Sequence, residues 1–132
     1  GYTVAWSADV SDPGFNHAKG IAVVPALHSA EDEAQVYQEA LNYPVEQREI
    51  TMKMRQRNFD NYSTTDDHLM HITGMARDQN GTKYYIVKNS WGKNNPYNGY
   101  LYVSEAYVKF KTTSMIVHQE ALPEYIKDQF NL

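Results

Sequence analysis

His68-Leu69-Met70-His71-Ile72-Thr73-Gly74-Met75-Ala76-Arg77, then Asp78-Gln79-Asn80-Gly81, then Thr82-Lys83-Tyr84-Tyr85-Ile86-Val87-Lys88-Asn89 is the stretch that decides the fold. Two runs rich in apolar, β-branched and aromatic residues flank a polar turn. Asn80-Gly81 tolerates the positive φ angles of a tight hairpin, so the stretch reads as two antiparallel strands and their connection. The hairpin carries a histidine at one end and an asparagine at the other, and Trp91 follows two residues later.

That arrangement has a chemical use. An imidazole acting as general base needs a partner that fixes its tautomer and ring orientation. An amide oxygen can accept the proton of one ring nitrogen and leave the other nitrogen facing a nucleophile. Register decides whether His68 and Asn89 can meet. A two-residue turn centred on Asn80-Gly81 sets Asn89 opposite Ile72, on the face of His68 but about 13 Å along the strand. A turn centred on Asp78-Gln79 sets it opposite His68, and a three-residue turn with a bulge changes the parity. A His68–Asn89 pair therefore requires the displaced turn or a bulge that restores the register. Residues three apart in a strand point to opposite faces, so His71 does not converge with His68. This argues against a metal set built from Asp67, His68 and His71, and no metal or organic cofactor is expected.

Outward from the hairpin, Tyr2–Val10 alternates in the manner of a strand and Ser11-Asp12-Pro13-Gly14 is a turn. Between Phe15 and Leu27, Gly20 and Pro25 disfavour a helix, and Ile21-Ala22-Val23-Val24 reads as a short extended segment. Ser29 is the expected N-cap of a helix opening Ala30-Glu31-Asp32-Glu33-Ala34, with Ala34, Tyr37 and Leu41 on one face. A second, surface helix is expected from Val45 to about Arg57. Ser90 to Gly99 is a turn-rich loop, and Tyr100–Ser104 a strand. A helical turn over Glu105–Phe110, a strand over Thr112–Gln119 and a helix after Pro123 complete the chain.

At 132 residues, 42% of them hydrophobic and 13% aromatic, the chain reads as one domain, 1–132, with enough apolar mass for an ordinary core. A net charge of −4 offers no basic face for nucleic acid. No apolar run approaches the ~20 residues of a membrane span. There is no cysteine, so there is no disulfide.

Several of these residues carry a family resemblance. Asp67-His68 with its apolar followers and Gly74, Lys88-Asn89-Ser90-Trp91-Gly92, and Asn98-Gly99-Tyr100-Leu101 resemble the His–Asn half of a papain-like cysteine peptidase. The strand His68-Leu69-Met70-His71-Ile72-Thr73 is similar to that of the bleomycin hydrolase and aminopeptidase C branch, where the run is His-Ala-Met-x-x-Thr. Tyr2–Val10 resembles the strand that opens the second lobe of that branch, and Tyr100–Phe130 its closing strand and helix. The fold implied is α+β, a twisted antiparallel sheet or open β-barrel with peripheral helices.

The resemblance implies His68 as general base, Asn89 as its orienting partner and Trp91 as the cover that keeps water from their hydrogen bond. It also implies Leu69 as part of a substrate side-chain pocket and the Leu132 carboxylate as the group that pairs with a substrate ammonium. The reaction implied is peptide-bond hydrolysis by a thiolate, of an aminopeptidase type. The family's nucleophile lies in a first lobe that this chain lacks, so the expectation is the C-terminal lobe of a larger peptidase, inactive alone. The partners implied are that Cys-bearing lobe, a peptide substrate and a homo-oligomer, hexameric in the branch. The compartment implied is cytoplasmic, with secreted or periplasmic placement left open. The rival reading is a non-catalytic papain-like binding or scaffold domain.

Overall fold

The structure, a computed structural model, describes residues 1–29 and 31–132. Among these residues one curled sheet runs in the order β2-β3-β6-β5-β4-β1-β7. Its strands are β1 Val4–Ala8, β2 Phe15–Asn16, β3 Ile21–Ala22, β4 His68–Arg77, β5 Lys83–Lys88, β6 Tyr100–Ser104 and β7 Thr112–Ile116. All neighbours are antiparallel except β3 and β6, which run parallel. The helices are α1 Glu33–Ala40, α2 Met52–Asp60, α3 Glu105–Lys111 and α4 Glu124–Phe130. This is the α+β class, with a sheet curled into a half-barrel and helices at its periphery.

Both faces of the sheet carry apolar clusters. Trp6, Ala8, Met70, Val87, Leu101 and Val103 pack with Tyr107 and Phe110 of α3 on one face. Val23, Ala40, Leu41 and Tyr84 pack on the other. Each fully buried Val, Leu or aromatic contributes about 1.5–3 kcal/mol relative to exposure. Trp6 is wholly buried, and its indole N–H donates to Thr112 Oγ1 at 2.7 Å, so burial leaves no orphan donor. Tyr107 is likewise buried, and its hydroxyl donates to Asp9 O at 2.9 Å.

The hairpin turn is set by Asp78. Its Oδ1 accepts from Asn80 N and Thr82 N, both at 2.9 Å, and Gly81 takes φ +83°. This is a three-residue connection, Gln79-Asn80-Gly81, ending in a left-handed glycine. From it the register runs Arg77↔Lys83 to Gly74↔Ile86, then shifts by one residue to Ile72↔Val87 and His71↔Lys88. Thr73 is the extra residue of a β-bulge.

Two helix starts differ from expectation. Asp32, not Ser29, caps α1, its Oδ1 accepting from Ala34 N at 3.0 Å; the expectation at Ala30 lies outside the described residues. The helix expected from Val45 begins only at Met52, behind Thr51, whose hydroxyl accepts from Met54 N. Val45–Ile50 is instead drawn out along Val24–Ala26. Arg48 N–H donates to Val24 O at 2.8 Å and Ala26 N–H to Glu46 O at 2.9 Å. These backbone bonds and the Pro25↔Gln47 bridge outweigh a weak helix pattern. Elsewhere, β7 stops at Ile116, short of the Gln119 expected.

Candidate active site

His68 opens β4 and Asn89 follows the last residue of β5. Extending the Ile72↔Val87 and His71↔Lys88 pairs sets Asn89 opposite Met70, on the His68 face. That is a diagonal neighbour about 7–8 Å away between Cα atoms, within reach of an imidazole and an amide. The two side chains meet: His68 Nε2 and Asn89 Oδ1 are 2.6 Å apart. The oxygen can only accept, so Nε2 carries the proton and Nδ1 keeps its lone pair. Ser90 N–H also donates to Asn89 Oδ1, at 2.7 Å, and Asn89 N–H donates to Gly99 O at 3.1 Å. Asn89 is buried, 8% exposed, which removes water as a competitor for its amide.

Trp91 lies against the pair, its ring centroid 4.7 Å from that of His68 with the planes tilted by 33°. Its indole is 47% exposed, so it covers one side of the imidazole and remains wet on the other. Phe15 and His17 hold it in place through edge contacts, with centroids 5.8 and 5.4 Å away.

The approach to His68 is also fixed. Asp67 accepts from Val10 N and from the Thr65 hydroxyl. Asp66 accepts from the hydroxyls of Ser7 and Thr113, which hold its carboxyl below the usual carboxylate range. Asp9, buried beneath this segment, accepts from Thr65 N and pairs with Lys111.

The remaining sequence-derived residues lie apart. Leu69 pairs with Ser7 and is exposed on the opposite face of β4 from His68. His71, on that same face, shares a 2.7 Å hydrogen bond with Thr3 Oγ1. Leu132 is exposed, and its backbone N–H donates to Lys127 O. The turn before α4 is held at the Tyr2 end of β1, through Tyr2 and Glu120, whereas His68 pairs with Ala8 at the other end. Among the described residues no hydrogen bond joins Leu132 to His68 or Asn89. The cavity of about 390 Å³ lined by Leu41, Tyr84, Tyr97 and Tyr102 sits against the Tyr84 face, away from His68, and the one carboxylate in its lining, Asp78, is engaged in the hairpin turn.

Sequence reasoning missed His17 and Asn95. His17 comes from the stretch of ambiguous local structure, 72 residues before Asn89, and only the tertiary fold joins them. Asn95 is a hub of the 90–99 loop. Its amide donates to His17 O and Tyr100 O, and its oxygen accepts from Tyr97 N and Gly99 N.

The sequence matches the model of the Peptidase C1-like family over residues 32–132. No curated protein matches it. Among solved structures, PepW from Lactobacillus rhamnosis HN001 is similar, with a TM-score of 0.64 and 20% identity over 98% of this chain and 26% of that one. Bromelain from Ananas comosus, solved with the E64 inhibitor, gives a TM-score of 0.44 at 16% identity, over 87% of this chain and 40% of that one. This chain thus spans about a quarter of PepW's length, 26%. With the family model covering most of its residues, the chain belongs to the Peptidase C1-like family.

Proposed function

We propose that this chain is the His–Asn lobe of a cysteine peptidase, with the nucleophilic thiol supplied by a cysteine outside these 132 residues. The observation that carries the reading is the 2.6 Å contact of His68 Nε2 with Asn89 Oδ1, which leaves Nδ1 as the free base. Nδ1 takes the thiol proton, and the thiolate attacks the peptide carbonyl carbon. As the C–N bond breaks, the imidazolium returns that proton to the leaving amine. Water then cleaves the thioester with the same imidazole as base, restoring the thiol. Asn89 stabilises the imidazolium and keeps it from turning. The half-exposed His68 suits a cleft completed by a second lobe, whereas a side-chain pocket at Leu69 rests on the family resemblance, because Leu69 is exposed on the opposite face of β4.

The finer reading is an aminopeptidase whose Leu132 carboxylate captures the substrate's free ammonium. It rests on the family resemblance and on the exposed end of α4. Assembly into a homo-oligomer belongs to the same reading. The second reading is a non-catalytic binding or scaffold lobe, which a complete gene product without the nucleophile cysteine would favour.

The test uses the complete gene product with fluorogenic peptides, free or acetylated at the N-terminus. Thiol-alkylation-sensitive cleavage is expected. His68→Ala should abolish it, and Asn89→Ala should lower kcat about 10- to 100-fold, the loss of one hydrogen bond to a charged group. Removing Leu132 should relax the preference for a free N-terminus. Cleavage that survives His68→Ala removes the peptidase assignment, and a gene product with no thiol-dependent cleavage favours the scaffold reading.

A further inference from the structure

The mechanism needs one orientation of the Asn89 amide, with oxygen toward His68. A flipped amide would present NH2 to Nε2, which would then have to accept. The proton would move to Nδ1, and the base would be lost. The discrimination between carbonyl and NH2 must therefore come from groups around Asn89. Two are visible. Ser90 N–H is a donor and selects the oxygen, at 2.7 Å. On the other side of the amide, Asn89 Nδ2 lies 3.2 Å from His17 Nδ1.

His17 is itself held. Its carbonyl accepts from Asn95 Nδ2 at 3.1 Å and from Gly20 N at 3.0 Å, so the backbone at this position cannot drift. Trp91 stands edge-on to its ring. His17 Nε2 is buried with no hydrogen-bond partner among the described residues. An Nδ1 that accepts from Asn89 forces the neutral imidazole's proton onto Nε2. The ring therefore keeps an unpartnered buried N–H in order to make the bond to Asn89, which runs against the usual satisfaction of buried polar groups.

We infer that His17 is a positioning residue for the His68–Asn89 pair. Neutral and protonated on Nε2, it accepts from Asn89 Nδ2 and so selects the amide orientation that keeps the His68 proton on Nε2 and its Nδ1 free. The inference rests on the peptidase reading for its consequence, and on the side-chain geometry for its substance. The chain of bonds runs from His17 through the amide to His68, and Trp91 touches both rings.

The experiment is nitrogen NMR of the whole protein labelled with 15N only in histidine rings, at a pH where both rings are neutral, with signals identified by the His17 and His68 variants. In the unmodified protein both rings are expected as the Nε2–H tautomer. A His17 ring carrying its proton on Nδ1 overturns the inference. His17→Asn places an amide oxygen where Nδ1 lies and should preserve the His68 tautomer. His17→Leu offers no acceptor and should give a mixture of His68 tautomers, with kcat lowered roughly two- to tenfold, the worth of one neutral hydrogen bond, and KM unchanged. A folded His17→Leu protein whose His68 remains wholly Nε2–H, or a His17→Asn protein that behaves like His17→Leu, refutes it. The tautomer is read without substrate. An inactive protein with both rings Nε2–H thus upholds the positioning role while removing the peptidase reading.

Discussion

Replacing Lys111 by methionine keeps most of the aliphatic stem and deletes one charge. The ammonium is 4% exposed, and it sits 3.1 Å from Asp12 Oδ2 and 3.4 Å from Asp9 Oδ2, carboxylates that are themselves 9% and 1% exposed. It also donates to Ser63 O at 3.1 Å. Removing one member of a buried ion pair costs about 3–5 kcal/mol, because the other is left charged and unpaired. Here the survivors keep some partners. Asp9 Oδ1 accepts from Ser11 N and Ser11 Oγ, and Asp12 Oδ1 accepts from Gly14 N. The lower end, about 3 kcal/mol, is therefore expected, which for a chain of this size lowers Tm by about 10 °C. The pH dependence gives a second check. Burial pushes the Asp9 carboxyl up, but the Ser11 hydrogen bonds and the Lys111 charge outweigh it and hold the carboxyl below its ordinary value of 3.8. A depressed carboxyl contributes stability that is complete above its unfolded pKa and is lost as pH falls through the folded one. The deficit of Lys111→Met should thus be full near neutral pH and shrink below about pH 4. The assay is urea unfolding followed by circular dichroism, at pH 7 and pH 3.5. A loss under about 1 kcal/mol, the scale of an exposed pair, or a deficit that does not change with pH, would refute the buried-charge argument. The consequence reaches the site, because Ser63 and Thr65 bind this hub and lie just before His68.

Gly99→Ala should cost at least about 2 kcal/mol, from left-handed strain together with overpacking. Gly99 has φ +89°, and an added Cβ would stand 2.5 Å from Gly92 O, a backbone atom with nowhere to go. Since Gly99 O receives Asn89 N–H, the expected readout is a lower midpoint in chemical unfolding together with weakened amide-exchange protection at Asn89; unchanged stability would mean that the 90–99 loop repacks freely. Alkaline titration should destabilise the protein through its buried phenols, Tyr84 and Tyr37 among them. Burial and then the Asp78 charge push the Tyr84 phenol up to about 12, and burial chiefly raises Tyr37 to about 12 as well. A raised phenol contributes stability present below about pH 10 and lost as pH rises toward 12, roughly 2–3 kcal/mol for each ring. Tyr84→Phe should flatten that limb, and a tyrosinate absorbance that titrates wholly near pH 10 in the folded protein would contradict the burial argument.

The hairpin and strands were legible because their signals are local: β-branched and aromatic runs, a turn with glycine in the left-handed position, and a proline before the last helix. The second helix was misread for an equally physical reason. Glu46-Gln47-Arg48 carries ordinary helix formers, yet Val24–Ala26 offers them backbone partners that a window of fifteen residues does not contain. The first cap was missed by three residues, because Ser29 and Asp32 are both good caps and only Asp32 presents its oxygen to Ala34 N. His17 gave no signal at all. It sits beside a two-residue strand, and its partner is 72 residues away. The buried Lys111 charge was equally silent, since a lysine at the end of a short helix ordinarily faces water.

The His68–Asn89 contact depends on a residue that touches neither side chain. With a three-residue turn closed by Asp78, the Arg77↔Lys83 register carried straight through would set Asn89 opposite His71 and send its amide to the face away from His68. Thr73 prevents this. By standing unpaired between Ile72 and Gly74 it slips the ladder one step, so that Val87 meets Ile72 and Asn89 falls in line with Met70 and His68. A bulge forms where the two ends of a strand are pinned in different registers. The turn end of β4 is pinned by the Asp78 hydrogen bonds, and the His68 end by five pairs with β1, from Val4↔Ile72 to Ala8↔His68. The first constraint is local and can be read from Asp78-Gln79-Asn80-Gly81. The second comes from a strand sixty residues earlier, buried through Trp6 and Ala8. Asn89 therefore faces His68 because β1 packs as it does, and the alternatives that a hairpin considered alone leaves open are resolved by the core beneath it.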